Sequence, residues 1–379
     1  MKVLYVGYYC ETGEFGHFAR YNILALEKAG VDVVIRPIRF SPRELTPCPA
    51  NLKHLEDKDE SDCNVLIQHV FPEHLVGTDK FDKNIAIFTN LVWDIKHSAW
   101  QEYLSVVDEI WAQTETVVSG LPLPRVVRQA VDTDIFKQKY RDINVPTLVD
   151  KCIFYTIGNT ANAEGLAQVL RTFHAEFDRS DLAALMIVMA QNDKPEAELS
   201  QFAEQLSTNI KSGLMLETHP NLYTQDVVVI VPPMSEELLS VHQFGTQYVS
   251  CNQTLMMPLQ ELYAVGFGST PLVGYGGTTA NSFFYLTDGL AAINLIPAVT
   301  RVKLTSSKGM FDDTDNGNNY NLVMSEESMR RTMRRTYETW KANPVEYDLK
   351  AKANAGTAME QFALETIGQA MKEALNGSL

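Results

Sequence analysis

Lys2-Val3-Leu4-Tyr5-Val6-Gly7-Tyr8, then Glu11-Thr12-Gly13-Glu14-Phe15-Gly16, then a run that ends at Gly30 and gives way to Val31–Arg36: this opening decides the fold. The first segment is short, apolar and rich in Val and Tyr, which reads as a strand. Phe15, Phe18, Ala19, Ile23 and Leu26 recur at helical spacing, and Gly30 is a stop signal. Val31–Arg36 is the next strand. The unit is strand, glycine turn, helix, strand, and the same alternation continues outward. Further strands are expected at Asn64–Val70, Asn84–Asn90, Glu109–Thr114 and Arg125–Ala130. The pattern loosens into charged, Pro-containing sequence over Thr133–Asp150. It restarts with a strand at Cys152–Gly158 and a helix marked by Leu166, Val169, Leu170, Phe173 and Phe177. Strands follow at Leu182–Ala190, Asp226–Pro232, Gln247–Cys251, Thr270–Tyr275 and about Ala291–Leu295, before a helical end. Continuously apolar strands separated by helices are those of a parallel sheet covered on both faces. The expectation is an α/β chain of two facing doubly wound, Rossmann-like domains, 1–145 and 146–345, with a C-terminal helix over 346–379 returning toward the first.

Composition agrees and excludes alternatives. At 379 residues the chain exceeds one ordinary domain. Hydrophobic residues at 45% and charged ones at 21% belong to a folded chain rather than a disordered one. No apolar run is long enough to span a membrane, and the amino-terminal segment is too strand-like for a signal peptide, so a cytoplasmic location is expected. The formal charge of −15 is a poor footprint for nonspecific nucleic-acid binding. The five cysteines, Cys10, Cys48, Cys63, Cys152 and Cys251, show no metal-ligand spacing, and no metal site is expected.

Ligands of doubly wound sheets bind beyond the carboxyl ends of the strands. Gly13 and Gly16 lie in such a turn. They either let a ligand approach the backbone and the helix amino terminus or make only a tight strand-to-helix turn, since the spacing is not the dinucleotide fingerprint. The richest stretch is Gln247–Asn281, where a strand leads through a loop to a helix starting near Pro258. Glu261 falls in the first turn of that helix, where a carboxylate can accept hydrogen bonds from a vicinal diol such as a ribose.

This stretch resembles the donor-binding signature of the GT-B glycosyltransferases, in particular the large retaining family 4. That signature is Glu-x7-Glu followed by a small-residue helix, a glycine and a strand reading roughly "PVV". Glu261 matches the second glutamate and Gln253 stands at the first. Pro258-Leu259, Gly266 and Pro271-Leu272-Val273 also fit. Asp108-Glu109-Ile110-Trp111-Ala112-Gln113-Thr114 resembles the family's "DEIWVPS" strand. Ala130-Val131-Asp132-Thr133-Asp134-Ile135-Phe136 resembles its "IPNGVDTDLF" approach to the linker. Asp132-Thr133-Asp134 therefore belongs to the linker and not to a metal site. One departure stands out. The family places Arg and Lys after the first strand of the second domain to clamp the donor diphosphate. Here Asn159 and Glu164 occupy those positions. The phosphate charge then has to be met elsewhere, for which backbone amides at Gly276-Gly277 or the Gly13–Gly16 turn are the candidates.

The resemblance implies a nucleotide-sugar donor, transfer with retention, and neither cofactor nor metal. It implies Glu261 on the ribose, Gln253 on the donor sugar, and Gly13, Gly16, Asn159, Gly276 and Gly277 around the donor. His69, at the carboxyl end of a strong strand, is either a catalytic cleft histidine of the kind the family carries or a satisfied structural one. His97 and Asp94 follow the next strand and are candidates for the acceptor side. The acceptor is left open. DNA carrying hydroxymethylated pyrimidine, as for some phage enzymes of this fold, is the alternative, motivated by Arg125, Arg128, Arg330, Arg331, Arg334 and Arg335. The four arginines from 330 to 335 otherwise read as one solvated helix face. A non-catalytic nucleotide-binding relative is the further alternative, motivated by the missing cations.

Overall fold

The computed structural model describes residues 1–39, 47–88, 100–112, 124–160, 163–191, 194–214, 223–232, 235–251, 259–275, 294–303 and 320–377. The first sheet holds β1 (Lys2–Gly7), β2 (Asp32–Pro37), β3 (Val65–His69), β4 (Lys83–Phe88), β5 (Glu109–Ala112) and β6 (Pro124–Val126). All its strands are parallel, in the order β2-β1-β3-β4-β5-β6. Helix α1 (Glu14–Lys28) crosses from β1 to β2; the short α2 (Lys53–Glu56) and α3 (Trp100–Leu104) flank the same sheet. The apolar spacing that predicts α1 is also its buried face: Phe18, Ala19, Ile23 and Leu26 are all buried. Gly30 ends the turn at φ +75, in the left-handed region where a Cβ would be strained.

The second sheet is separate. It holds β7 (Cys152–Gly158), β8 (Ala183–Ala190), β9 (Asp226–Val231) and β10 (Gln247–Tyr248), parallel in the order β10-β7-β8-β9. Helices α4 (Ala163–Glu176), α5 (Glu196–Leu214) and α6 (Glu236–Phe244) make its crossovers, and α7 (Leu259–Gly266) follows β10. β11 (Leu272–Tyr275), β12 (Asn294–Lys303) and β13 (Tyr320–Met324) form a third group, joined to β10 by a parallel bridge between Val249 and Leu272.

Three expectations are revised. β6 stops at Val126, because the chain then turns inward: Gln129 bonds Asn22 and the Phe18 carbonyl of α1, and the Val131 amide donates to the Phe362 carbonyl at 2.8 Å. The strand expected over Gln247–Cys251 is split, because its backbone serves β7 up to Val249 and Leu272 beyond it. β12 runs on to Lys303 and is paired antiparallel by β13, which the sequence reading did not anticipate.

The end of the chain is helical: α8 (Glu326–Ala342), α9 (Pro344–Glu360) and α10 (Leu364–Leu375). The single helix expected over 346–379 is two: α9 packs mainly beside α7 and α8, and the chain crosses after Glu360, so that α10 makes the main contact of the chain end with α1. That contact is close. A Cβ at Gly368 would lie 2.0 Å from the Ala25 carbonyl oxygen of α1. Gly368→Val is therefore expected to destabilise the protein by about 1–3 kcal/mol through overpacking. Urea denaturation checks this, and a variant with wild-type stability would show that the two helices can part freely.

Candidate functional site

The amino termini of α1 and α7 meet across the two halves. The turn before α1 is pinned by Arg20, whose Nη1 donates to the carbonyls of Tyr9 at 2.8 Å and Glu11 at 2.9 Å. Gly16 is needed for that turn, since a Cβ would sit 1.9 Å from the Glu11 carbonyl oxygen. Gly13 is different. It is exposed, its φ is −80, and a Cβ there would meet nothing within 4 Å. Neither backbone conformation nor packing demands a glycine at the start of α1.

Glu14, between those glycines, accepts a hydrogen bond from Gln260 Nε2 of α7 at 3.2 Å. That fixes Gln260 Oε1 as an acceptor, and His242 Nε2 lies 3.0 Å from it. Burial pulls His242 down to about 4, so the ring is neutral. Its Nε2–H donates to Gln260, and its Nδ1 accepts from the Tyr155 hydroxyl at 3.0 Å. A single polar thread therefore runs from β7 through α6 and α7 to the first turn of α1. Beside it the hydroxyls of Tyr21 and Tyr263 bond at 2.8 Å, and Leu259, Leu262 and Tyr263 share one apolar cluster with Phe18 and Ile23.

Burial pushes the Glu14 carboxyl up to about 7, with the Gln260 hydrogen bond opposing and nearby Glu261 adding to the rise. The ordinary value is 4.5, so folding takes up a proton between about pH 4.5 and about pH 7. The stabilisation from the neutral carboxyl is present below that window and lost as pH rises through it. Glu14→Gln is expected to flatten this part of the curve. The wild-type Tm should fall between about pH 5 and about pH 8 by more than that of the variant, as followed by circular dichroism. Parallel curves would place the Glu14 carboxyl at its ordinary value.

Glu261 lies in the first turn of α7 and is 2% exposed. Its carboxyl oxygen accepts a hydrogen bond from the Ser250 hydroxyl, two residues beyond β10, and burial raises its pKa. The carboxylate expected to be available to a diol is thus engaged beneath the surface. A ribose would have to share it with Ser250. His69 ends β3 and is 3% exposed. Its Nδ1 pairs with the Tyr5 hydroxyl at 2.7 Å, while its Nε2 is buried with no partner. Burial lowers it to about 4, so it is neutral. An orphaned buried ring nitrogen is uncommon and leaves this histidine with unused hydrogen-bonding capacity. Asn159 is half-buried at the carboxyl end of β7, whereas Glu164 is exposed in the first turn of α4. Asp94, His97, Gln253, Gly276 and Gly277 lie outside the described residues.

Glu14, Gln260, Ser250 and His242 are the members of this region that sequence reasoning missed. Glu14 stands between the two singled-out glycines and Gln260 beside Glu261, so proximity to the motifs was the only signal. The arginine helix resolves differently. Arg330 and Arg334 pair with Glu176 at 3.1 and 2.8 Å, Arg334 also with Asp181 at 2.8 Å, and Arg331 with Glu327. Arg125 holds Glu109 and Arg128 bonds Gln361. Ion pairing thus accounts for most of the basic charge that motivated a nucleic-acid groove. Asp132 caps the turn at Thr133–Lys137, and Asp134 pairs with Lys137, as befits a linker.

Two separate Rossmann-like halves joined in this order, with the chain end crossing back to the first, make the GT-B fold of the glycosyltransferases. Solved structures place it there despite very low sequence identity. The chain is similar to the N-terminal domain of trehalose-6-phosphate phosphatase from Candida albicans, with a TM-score of 0.63 at 10% identity over 100% of this chain and 97% of that one. It is similar to the trehalose-6-phosphate protein of E. coli bound with UDP-2-fluoro glucose, with a TM-score of 0.60 at 8% identity over 99% of each chain. It is also similar to an alpha-glucosyltransferase in complex with UDP-glucose and DNA containing an abasic site, with a TM-score of 0.53 at 12% identity over 100% and 98%. No protein-family model and no curated sequence matches the chain. Among the described residues no helix is long and apolar enough to cross a membrane.

Proposed function

We propose that the chain is a glycosyltransferase that moves a sugar from a nucleotide-sugar donor to an acceptor hydroxyl, with retention at the anomeric carbon and without a metal. The observation that carries this reading is the placement of Glu261 in the first turn of α7, opposite the amino terminus of α1 in a GT-B fold. In this reading Glu261 receives the ribose hydroxyls and Gln253 the donor sugar. The turn of Gly13 and Gly16 closes over the phosphates, and the amides of Gly276-Gly277 take part of their charge. His69 Nε2 serves the reacting sugar, its unused hydrogen-bonding capacity being what recommends it. Asp94 and His97 face the acceptor. Cleavage of the anomeric bond builds negative charge on the leaving diphosphate, and fixed donors aimed at that charge lower the barrier. A proton on Glu14 keeps the first turn of α1 from repelling it.

A panel of nucleotide sugars and nucleoside diphosphates, screened by thermal shift and then by mass spectrometry for free diphosphate, tests the reading. Stabilisation and diphosphate release by at least one sugar nucleotide are expected. Stabilisation without any release would favour the non-catalytic alternative. A DNA acceptor is the second reading, favoured by the similarity to the alpha-glucosyltransferase bound to DNA. The −15 charge and the paired arginines weigh against it. Salt-sensitive retention on duplex DNA distinguishes it from a small acceptor.

A further inference from the structure

A cavity of about 810 Å³ opens at the far end of α7, lined by none of the residues placed in the donor site. Gly266, which borders it, is about 8 Å along the helix axis from Glu261. Its walls come from the connection between the halves at Thr133–Asp142, from the end of α7, and from α9 through to Ala363. Both stretches of chain that cross between the halves therefore line the same space.

Its chemistry is mixed in a particular way. Phe136 and Phe267 form an aromatic wall, their rings 5.1 Å apart and edge to face. Lys137, Lys139 and Lys352 border it, against the carboxylates of Asp142 and Glu360. Lys137 is engaged by Asp134 at 2.7 Å. Lys139 and Lys352 have no ion-pair partner within 4 Å among the described residues, on a chain of net charge −15. Gly356 stands inside helix α9, where glycine is among the least favoured residues. No packing demands it, since a Cβ would meet nothing within 4 Å, and its φ is not positive. Its effect is to leave the cavity wall open.

We propose that this cavity is a binding site for a small aromatic anion, distinct from the nucleotide-sugar site and independent of the glycosyltransferase reading. A flat ring lies against Phe136 and Phe267, and one phosphate- or carboxylate-type head is held by Lys139 and Lys352 in charge-assisted hydrogen bonds. The volume suits such a ligand, and the two bordering carboxylates disfavour a polyanion.

The probe is 1-naphthyl phosphate, with neutral 1-naphthol as its control, titrated by fluorescence and calorimetry into the full chain. Saturable binding of the phosphate is expected, at least about tenfold tighter than naphthol. Two variants locate it. Gly356→Phe projects a ring into the space, and Lys139→Gln with Lys352→Gln removes the cations from exposed positions. Each should weaken the phosphate about tenfold or more, and excess UDP should not displace it. If Gly356→Phe fails to fold, the lysine variant decides alone. Absence of saturable binding, equal affinity for naphthol, displacement by UDP, or wild-type affinity in the folded variants would each overturn the proposal.

Discussion

Glu261→Gln is expected to fold normally and to bind nucleoside diphosphate about tenfold to a hundredfold more weakly than the parent chain. The carboxyl is buried and accepts from Ser250, and an isosteric amide keeps an oxygen that can accept the same bond, so the ligand-free protein is disturbed little. A ribose diol gains most from a charged acceptor, at about 1.5–3 kcal/mol for such hydrogen bonds, which converts to the stated range. Glu261→Ala should add a folding cost of about 1–3 kcal/mol, because it removes the acceptor of the Ser250 hydroxyl inside the protein. From sequence alone that cost is expected to be small; burial of the side chain is what raises it. Isothermal titration calorimetry on the glutamine variant reads the affinity, and denaturation of the alanine variant reads the stability. Undiminished nucleotide affinity in a folded Glu261→Gln would remove this residue from the donor site.

Asn159→Arg combined with Glu164→Lys is expected to strengthen nucleoside-diphosphate binding by about tenfold or more. The pair restores two cations and removes one anion around a ligand carrying several negative charges. Asn159 sits half-buried just beyond the carboxyl end of β7, the side of a parallel sheet where ligands bind; Glu164 is exposed, where a lysine costs little. Helix amino termini alone contribute about 0.3–2 kcal/mol to holding an anion, less than a buried guanidinium does. Binding by the parent chain should accordingly be weak and salt-sensitive. Calorimetry at two salt concentrations measures both properties. A double variant that folds and gains nothing would mean that phosphates are held on a different surface, and that the clamp positions no longer face them.

The order of elements was legible because the strands are buried on both faces. Runs such as Ala183–Ala190 can only be core, and α1 spells out its apolar stripe from Phe18 to Leu26. What was not legible depends on distant partners. Val131 leaves its sheet for Phe362, more than two hundred residues away, and nothing local marks that choice. β13 pairs antiparallel with β12 although its own sequence carries no orientation signal. At the site, residue types and spacing singled out Glu261 and the glycine turn. They could not reveal that Gln260 turns toward Glu14, nor that Ser250 engages Glu261, because both are contacts between segments that only the fold brings together. The arginines of α8 left two readings open, a solvated face and a nucleic-acid groove, and distant partners decide between them. Four cations in six positions look like a binding face until Glu176 and Asp181, from another helix and its following turn, are found beside them.

The most direct measurement is proton NMR of the anomeric signal while the protein turns over the sugar nucleotide that stabilises it best. The account predicts a product, on acceptor or on water, whose first-formed anomer has the configuration of the donor, with the rate reduced in Glu261→Gln. A first-formed anomer of opposite configuration would contradict retention. A folded protein that neither binds nor cleaves any sugar nucleotide would contradict the proposed function itself.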